Sequence, residues 1–246
     1  MERIIECVPN FSEGRNMEVI ESIVNAIEKS GGVKVLDVDP GEATNRTVVT
    51  FVGSPEAVVE AAFQGVKKAG ELIDMRQHHG AHPRSGATDV LPLIPISGIT
   101  LEECAQLARA LAERIYNELE IPCYCYESAA FKPERKNLAV CRAGEYEALP
   151  EKMGDPDRQP DFGPGAYTER AAQACGAKLQ GCITSGFHFL GIILDGDQFC
   201  LLSLPVGQIQ MFAHAADGGD FHTVIAALLD CLCGFPEGYR LKEDTV

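Results

Sequence analysis

Three of the six histidines of this chain, His78, His79 and His82, fall within five residues of one another in the stretch DMRQHHGAHPRSGATDV, residues 74–90. Imidazole is the side chain whose ordinary pKa lies closest to neutrality, so proton transfer is the first chemistry to consider. A zinc site is the second, recruiting two or three of these histidines with Asp74 or Asp89. Against it, adjacent histidines rarely bind one ion together, and the H-E-x-x-H pattern is missing. The third reading is a polar loop whose histidines hydrogen-bond locally. Its neighbours point to a built site: Pro83 pins the backbone, Gly80 and Gly86 permit close approach, and Arg84 offers a forked donor for a carboxylate. In an extended segment His78 and His82 would point one way and His79 the other.

Other familiar motifs are weak. The sequence holds no Walker loop and no G-x-S-x-G elbow, and the glycines of Phe162-Gly163-Pro164-Gly165 do not join a strand to a helix as a dinucleotide fingerprint requires. Cys7 stands near a strand end, but an ordinary core thiol is the simpler reading. Ten cysteines without an export signal read as mostly reduced thiols, and the C-x-C pairs Cys123/Cys125 and Cys231/Cys233 lack the spacing of structural zinc sites. No metal is expected.

Thirty-six acidic residues against 21 basic ones give a formal charge of -15, which argues against general affinity for nucleic acid or an anionic membrane. An N-terminus without a signal-like segment, and apolar runs too short to span a bilayer, make cytoplasmic the expected location. Residues 131–142 depart from this balance: Lys132, Arg135, Lys136 and Arg142 stand against the single acid Glu134. Such a basic segment is either a solvated loop or a landing place for the carboxylates of a small acidic molecule.

The elements that must position these groups follow from periodicity and caps. A strand over residues 3–8 ends at Pro9, and a loop runs through Gly14. Asn16 caps a helix whose core stripe is Val19, Ile20, Ile23, Val24 and Ile27. Two β-branched runs, residues 33–38 and 47–52, flank a polar loop that carries Asp39, Asn45 and Arg46. Ser54 and Pro55 start a second helix that ends just before the histidine stretch. Residues 89–96 read as a strand confined by Pro92 and Pro95 to an edge or to bulges. Thr100 and Glu103 form a capping box for a third helix, and residues 122–126 make a short strand. The order β-α-β-β-α-β-α-β predicts an α+β fold of ferredoxin-like type, a mixed β-sheet with helices packed on one face. Beyond a Pro- and Gly-rich stretch at 150–165, two apolar runs at 182–194 and 199–206 and a helix at 221–233 are expected.

Several segments, taken in order, resemble one family: ECVPNFSEG at 6–14, LDVD at 36–39, TNRTV at 44–48, TFVG at 50–53, LIDM at 72–75, GAHPRSGATDV at 80–90, RAGEYEALP at 142–150 and PDFGP at 160–164. The set is similar to the N-terminal subdomain of glutamate formiminotransferase, over residues 1–172. The resemblance implies transfer of a formimino group from N-formimino-L-glutamate to tetrahydrofolate, with tetrahydrofolate as co-substrate. It puts the catalytic histidine at His82 and the folate-binding loop at Phe162, Gly163, Pro164, Gly165, Ala166, Tyr167 and Thr168. It also implies a second subdomain that completes the folate groove. Residues 173–246 read instead as a divergent segment.

The chemistry of the residues agrees with that implication. The N5 amine of tetrahydrofolate loses a proton as it attacks the amidine carbon, and the departing glutamate nitrogen gains one, which suits a single imidazole at His82. Asp39 is expected to hold the cationic formimino group. Arg46 and Arg84, with Asn45 beside them, are expected to hold substrate carboxylates. Lys132, Arg135 and Lys136 would meet the glutamate tail of folate. An exposed half-groove would favour a homodimer. Two alternatives stand beside this reading: a folate-binding or interaction module without turnover, and an ATP-dependent 5-formyltetrahydrofolate cyclo-ligase.

Overall fold

The computed structural model describes residues 2–81, 83–163, 167–174, 177–180, 188–194, 198–204 and 210–214. The chain divides into two compact units, Met1–Cys182 and Ile183–Val246. In the second unit, strands β8 (His188–Leu194), β9 (Gln198–Leu204) and β10 (Gln210–His214) form an antiparallel sheet in the order β10-β9-β8. The expected helix at 221–233 lies outside the described residues.

The first unit is an α+β layer. Strands β1 (Ile4–Cys7), β2 (Asn10–Phe11), β3 (Val33–Gly41), β4 (Arg46–Gly53), β5 (Thr88–Ser97), β6 (Cys123–Tyr126) and β7 (Ala177–Gln180) build one mixed sheet. Antiparallel pairing joins β3 to β4, and both β1 and β2 sit between β4 and β5. Parallel pairing then joins β5 to β7 and β7 to β6. The sheet thus takes its strand β7 from beyond residue 172.

Three long helices cover one face: α1 (Met17–Lys29), α2 (Pro55–Leu72) and α3 (Leu101–Leu119). Each begins where its sequence supplies a cap. Asn16 accepts from the amides of Glu18 and Val19, Ser54 accepts from Ala57 with Pro55 at the first turn, and Thr100 and Glu103 close a reciprocal capping box. Their apolar stripes, such as Ile23 and Ile27 of α1 and Leu111 and Ile115 of α3, meet Ile5, Phe51, Leu91 and Leu93 of the sheet in one core. Burying each such side chain contributes about 1.5–3 kcal/mol.

Alternation sends the intervening strand residues to the other face. Cross-strand partners share a face, so Lys34, Val52, Glu6 and Ile94 make one row of it, and Asp39, Val48, Asn10 and Val90 another. Here the structure corrects the expectation of helices on one face alone. Two short helices, α4 (Leu138–Arg142) and α5 (Leu149–Gly154), pack on this second face: Cys141 meets Val90 and Tyr126, while Leu149 and Met153 meet Tyr124. They cover the β6 end and not the β3 end, because the apolar partners they need, Tyr124 and Tyr126, lie on β6.

Two local expectations also change, and a third is narrowed. Residues 10–11 form a strand and not loop, since Phe11 is buried in the core and Asn10 pairs with both β4 and β5. The predicted polar loop at 39–46 shrinks to a turn at residues 42–45, and β3 runs on through Pro40. Pro40 is tolerated because β3 pairs only with β4 among the described residues, leaving one side without a ladder. Of the two forms expected for the Pro-rich β5, an edge strand or a bulged one, the structure has the second: β5 is central, with shifted registers against Ile4/Ile5 and Asn10/Phe11.

Candidate functional site

The histidine stretch leaves α2 through a short 3₁₀ turn, Met75–Gln77, capped by Asp74, whose carboxylate accepts from the Arg76 amide at 3.1 Å. Met75 is buried, so the chain is anchored before the first histidine. His78 is buried as well. Its Nε2 lies 2.9 Å from the Asn45 carbonyl, and Arg84 Nε donates to its Nδ1 at 3.3 Å. Because a guanidinium only donates, Nδ1 must accept, which leaves the ring proton on Nε2 for Asn45. Burial lowers the His78 pKa, so the ring stays neutral near pH 7. His78 therefore serves as a structural tie. His79 is exposed and contributes its carbonyl, which accepts from Asn45 Nδ2 at 3.0 Å and from Arg15 at 3.3 Å.

Asn45 is the other half of that tie. It is buried with a positive φ of 49°, a conformation asparagine tolerates better than most residues, and its Oδ1 accepts from the Gly14 amide at 3.0 Å. Both ends of its amide are thus occupied within the protein. Gly80 lies so close to the Thr44 carbonyl that any side chain would collide with it. Ala81 then donates to the Ala43 carbonyl at 3.4 Å. Every described residue from His78 to Ala81 thus meets the 42–45 turn or Arg84.

His82 lies outside the described residues. Arg84, two positions further on, is firmly held. Its guanidinium is 12% exposed, pairs with Glu145 at 3.1 Å and Glu147 at 2.7 Å, and stacks 6.0 Å from the Tyr146 ring. The Arg84 carbonyl accepts from the Tyr146 amide at 2.9 Å. These contacts engage Arg84 with the protein's own carboxylates. The histidine loop is bound on one flank to the turn between β3 and β4, and on the other to residues 145–147.

The face opposite the long helices carries the remaining charges. Asp39 is exposed on β3, opposite Val48, and Arg46 is half-buried at the start of β4. Burial lowers the Arg46 pKa and nearby Arg142 lowers it further, while Asp89 and Asp39 oppose both effects. These four residues consequently form one electrostatic cluster. Asp89, 1% exposed, accepts from the Ser85 amide at 2.9 Å and from Arg142 at 2.7 Å. On the same face Glu6 is buried between Val52 and Ile94, and one of its carboxylate oxygens has no partner among the described residues. Burial pushes its pKa up to about 7. Asp89 was considered from the sequence only as a metal ligand and Arg142 only as part of the basic segment, and Glu6 was not singled out. An acid at Glu6 inside an apolar strand is itself a signal.

The basic segment is mostly engaged inside the fold. Arg135 is 4% exposed, pairs with buried Asp161 at 2.6 Å, donates to the Gln159 carbonyl and stacks over Tyr124. Its charge is engaged where the chain fixes residues 159–161. Lys132 donates to the Asp157 carbonyl at 2.8 Å, and Lys136 is exposed. Phe162 bridges to Cys123 and packs edge-on against Phe131, and Gly163, with φ 80°, lies against the Tyr116 ring. Pro164, Gly165 and Ala166 lie outside the described residues. Tyr167 hydroxyl donates to Tyr146 hydroxyl at 3.3 Å, and Thr168 Oγ1 accepts from Ala171.

Two chemistries are tested by these surroundings. Cys7, Cys104, Cys123, Cys125 and Cys141 are buried and unbridged, and burial raises Cys7 and Cys123 well above the ordinary thiol range and Cys125 to about 12. Such thiols are poor nucleophiles. Among the described residues no group of three or more His, Cys, Asp or Glu is arranged to hold a metal ion, and no helix is long and apolar enough to cross a membrane.

Comparison with known proteins fits this arrangement. Residues 4–180 match the family described as formiminotransferase domain, N-terminal subdomain. The chain is 53% identical over 167 residues to formimidoyltransferase-cyclodeaminase of Rattus norvegicus, covering 68% of this chain and 31% of that protein. It is 50% identical over 163 residues to glutamate formimidoyltransferase of Streptococcus pyogenes serotype M1, covering 66% of this chain and 54% of the relative. Against glutamate formimidoyltransferase of Thermoplasma acidophilum it is 44% identical over 177 residues, 71% of this chain and 58% of the relative. The chain thus spans about a third of the rat protein and somewhat over half of the microbial ones. It belongs to the formiminotransferase N-terminal subdomain family.

Proposed function

We propose that this chain transfers the formimino group of N-formimino-L-glutamate to tetrahydrofolate, giving 5-formiminotetrahydrofolate and glutamate. The observation that carries the reading is the match over residues 4–180 to the formiminotransferase N-terminal subdomain. In this reading His82 is the proton carrier. It accepts the proton of the tetrahydrofolate N5 as that nitrogen bonds to the amidine carbon, and returns it to the glutamate nitrogen as the old carbon–nitrogen bond breaks. Asp39, exposed on β3 beside Arg46, holds the cationic formimino group. Arg46 meets a substrate carboxylate, whereas Asn45 and Arg84 act by holding the histidine loop. Tetrahydrofolate lies along the segment from Phe162 to Thr168, and exposed Lys136, with Lys132, faces its glutamate tail.

The α+β layer is read as a ferredoxin-like variant with added strands. Residues after 172 are read as a divergent segment in place of the family's second subdomain. A cytoplasmic location and a homodimer that covers the open face accompany this reading.

The family match over residues 4–180 is to the N-terminal subdomain, and a second reading is a folate-binding or interaction module without turnover. One experiment separates the two. Pure protein is incubated with N-formimino-L-glutamate and tetrahydrofolate, and 5-formiminotetrahydrofolate is followed by absorbance. Turnover supports the transferase. Saturable calorimetric binding of tetrahydrofolate with no product supports the module, and neither signal refutes both.

A further inference from the structure

Tyr146 holds the histidine loop with its backbone and reaches away from it with its hydroxyl. Its amide donates to the Arg84 carbonyl at 2.9 Å, its ring lies 6.0 Å from the Arg84 guanidinium, and its neighbours Glu145 and Glu147 pair with that same guanidinium. Three consecutive residues thus clasp Arg84. At the far end of the ring, the Tyr146 hydroxyl donates to the Ala172 carbonyl at 2.6 Å. A hydroxyl has one proton and a carbonyl only accepts, so toward Tyr167 the same oxygen can act only as acceptor. The 3.3 Å contact between the two hydroxyls therefore runs from Tyr167 to Tyr146. Both rings pack on one small core of Tyr124, Leu149, Met153 and Ala171.

The base of this contact is tied to the long helices. Tyr167 leads into helix α6 (Glu169–Ala174), where Arg170 donates to the carbonyls of Gly70 at 2.7 Å and Leu119 at 3.1 Å, near the ends of α2 and α3 whose last carbonyls lack helical partners. The Ala174 carbonyl in turn accepts from the Ala87 amide at 3.0 Å, three positions beyond Arg84. Tyr146 thus stands between two segments with different expected tasks, the loop that carries His82 and the segment from Phe162 to Thr168. We propose that the hydroxyl contact from Tyr167 to Tyr146 couples them: a ligand seated on the segment from Phe162 to Thr168 sets how firmly the histidine loop is held, with Tyr146 as the positioning residue. The identity of that ligand as tetrahydrofolate rests on the formimino-transfer reading; the tie between the two segments does not.

Amide hydrogen exchange over residues 76–86 of the full chain tests the tie without any ligand. Tyr146→Phe keeps the ring beside Arg84 and removes both hydroxyl bonds, so local opening of the loop should rise about fivefold, the factor that one neutral hydrogen bond contributes. Tyr167→Phe is the sharper variant, because in this proposal it acts on the loop only by way of Tyr146. It should raise exchange of the same amides about twofold, and the double variant should exchange no faster than Tyr146→Phe alone, since one path carries both effects. Exchange in α1 should stay unchanged in all three, which checks that they fold. An unchanged loop in Tyr167→Phe, or a double variant in which the two factors multiply, would overturn the coupling. Adding saturating tetrahydrofolate tests the functional half: it should slow exchange of residues 76–86 about fivefold in the wild type and leave it unchanged in Tyr146→Phe. Equal protection in both proteins, or none in a wild type that binds tetrahydrofolate by calorimetry, would overturn the proposal. A wild type that binds no tetrahydrofolate refutes the ligand and the transfer reading, while exchange in the ligand-free variants still decides the tie.

Discussion

Replacing Glu6 by glutamine should remove a specific pH dependence of stability. Glu6 stands on β1 between Val52 and Ile94 with one carboxylate oxygen unpartnered among the described residues, and burial raises its pKa from the ordinary 4.5 to about 7. The sign follows from proton counting. Between these two values the folded chain keeps a proton that the unfolded chain releases, so stability falls as pH rises from 4.5 to 7 and is flat on either side of that window. The interval corresponds to about 3 kcal/mol. Glutamine resembles the protonated form and has nothing to ionise. Urea unfolding at pH 4.5, 6 and 8 should therefore find the two proteins equal within about 0.5 kcal/mol at pH 4.5. At pH 8 Glu6→Gln should be the more stable by about 3 kcal/mol, a shift in Tm of roughly 6–12 °C for a chain of this size. Parallel stability profiles across the three pH values would show that Glu6 finds a compensating partner and would refute the reasoning.

The other predictions concern the supports of the site. Asp161→Ala leaves the Arg135 guanidinium buried without its partner, and should cost about 3–5 kcal/mol in urea unfolding, while exposed Lys136→Gln should cost less than about 0.5 kcal/mol. Near-equal costs would mean that Arg135 is not the clamp of residues 159–161. Gly80→Ala forces a methyl group against the Thr44 carbonyl and displaces the loop that carries His82, so kcat/KM for formimino transfer should fall by about a hundredfold, with a melting temperature changed far less. Unchanged kcat/KM would mean that the 42–45 turn does not position the loop. Thr100→Ala opens the capping box of α3 and should lower stability by about 1 kcal/mol without affecting kcat. No loss in a urea titration would contradict the cap.

Much of this was legible where local chemistry decides the outcome. Asn16, Ser54 with Pro55, and Thr100 with Glu103 each satisfy helix amides from within a few residues, so the starts of α1, α2 and α3 follow from sequence. The elements that escaped prediction depend on distant partners. Asn10 and Phe11 look like loop because Pro9 precedes them, yet two strands from far along the chain pair with them. Pro92 and Pro95 allow an edge or a bulged strand, and only the pairing with β1, β2 and β7 decides for a central, bulged one. The site residues divide in the same way. A cluster of histidines and arginines was visible, but which of them face inward was not: His78, Asn45 and Arg84 hold one another, and Arg135 is buried by Asp161, a partner 26 positions away. Asp89 gained its importance only once Arg142 was brought to it by α4. Sequence alone reported charges, and the pairings that neutralise them belong to the fold.

The central claim is that His82 moves the proton in formimino transfer, and His82→Asn tests it most directly. Loss of one positioned acid–base group lowers a rate by about 10²–10⁴-fold. Single-turnover formation of 5-formiminotetrahydrofolate from N-formimino-L-glutamate should fall in that range in the variant, while calorimetric binding of tetrahydrofolate stays within about twofold. Product formation at the wild-type rate in His82→Asn would contradict the account.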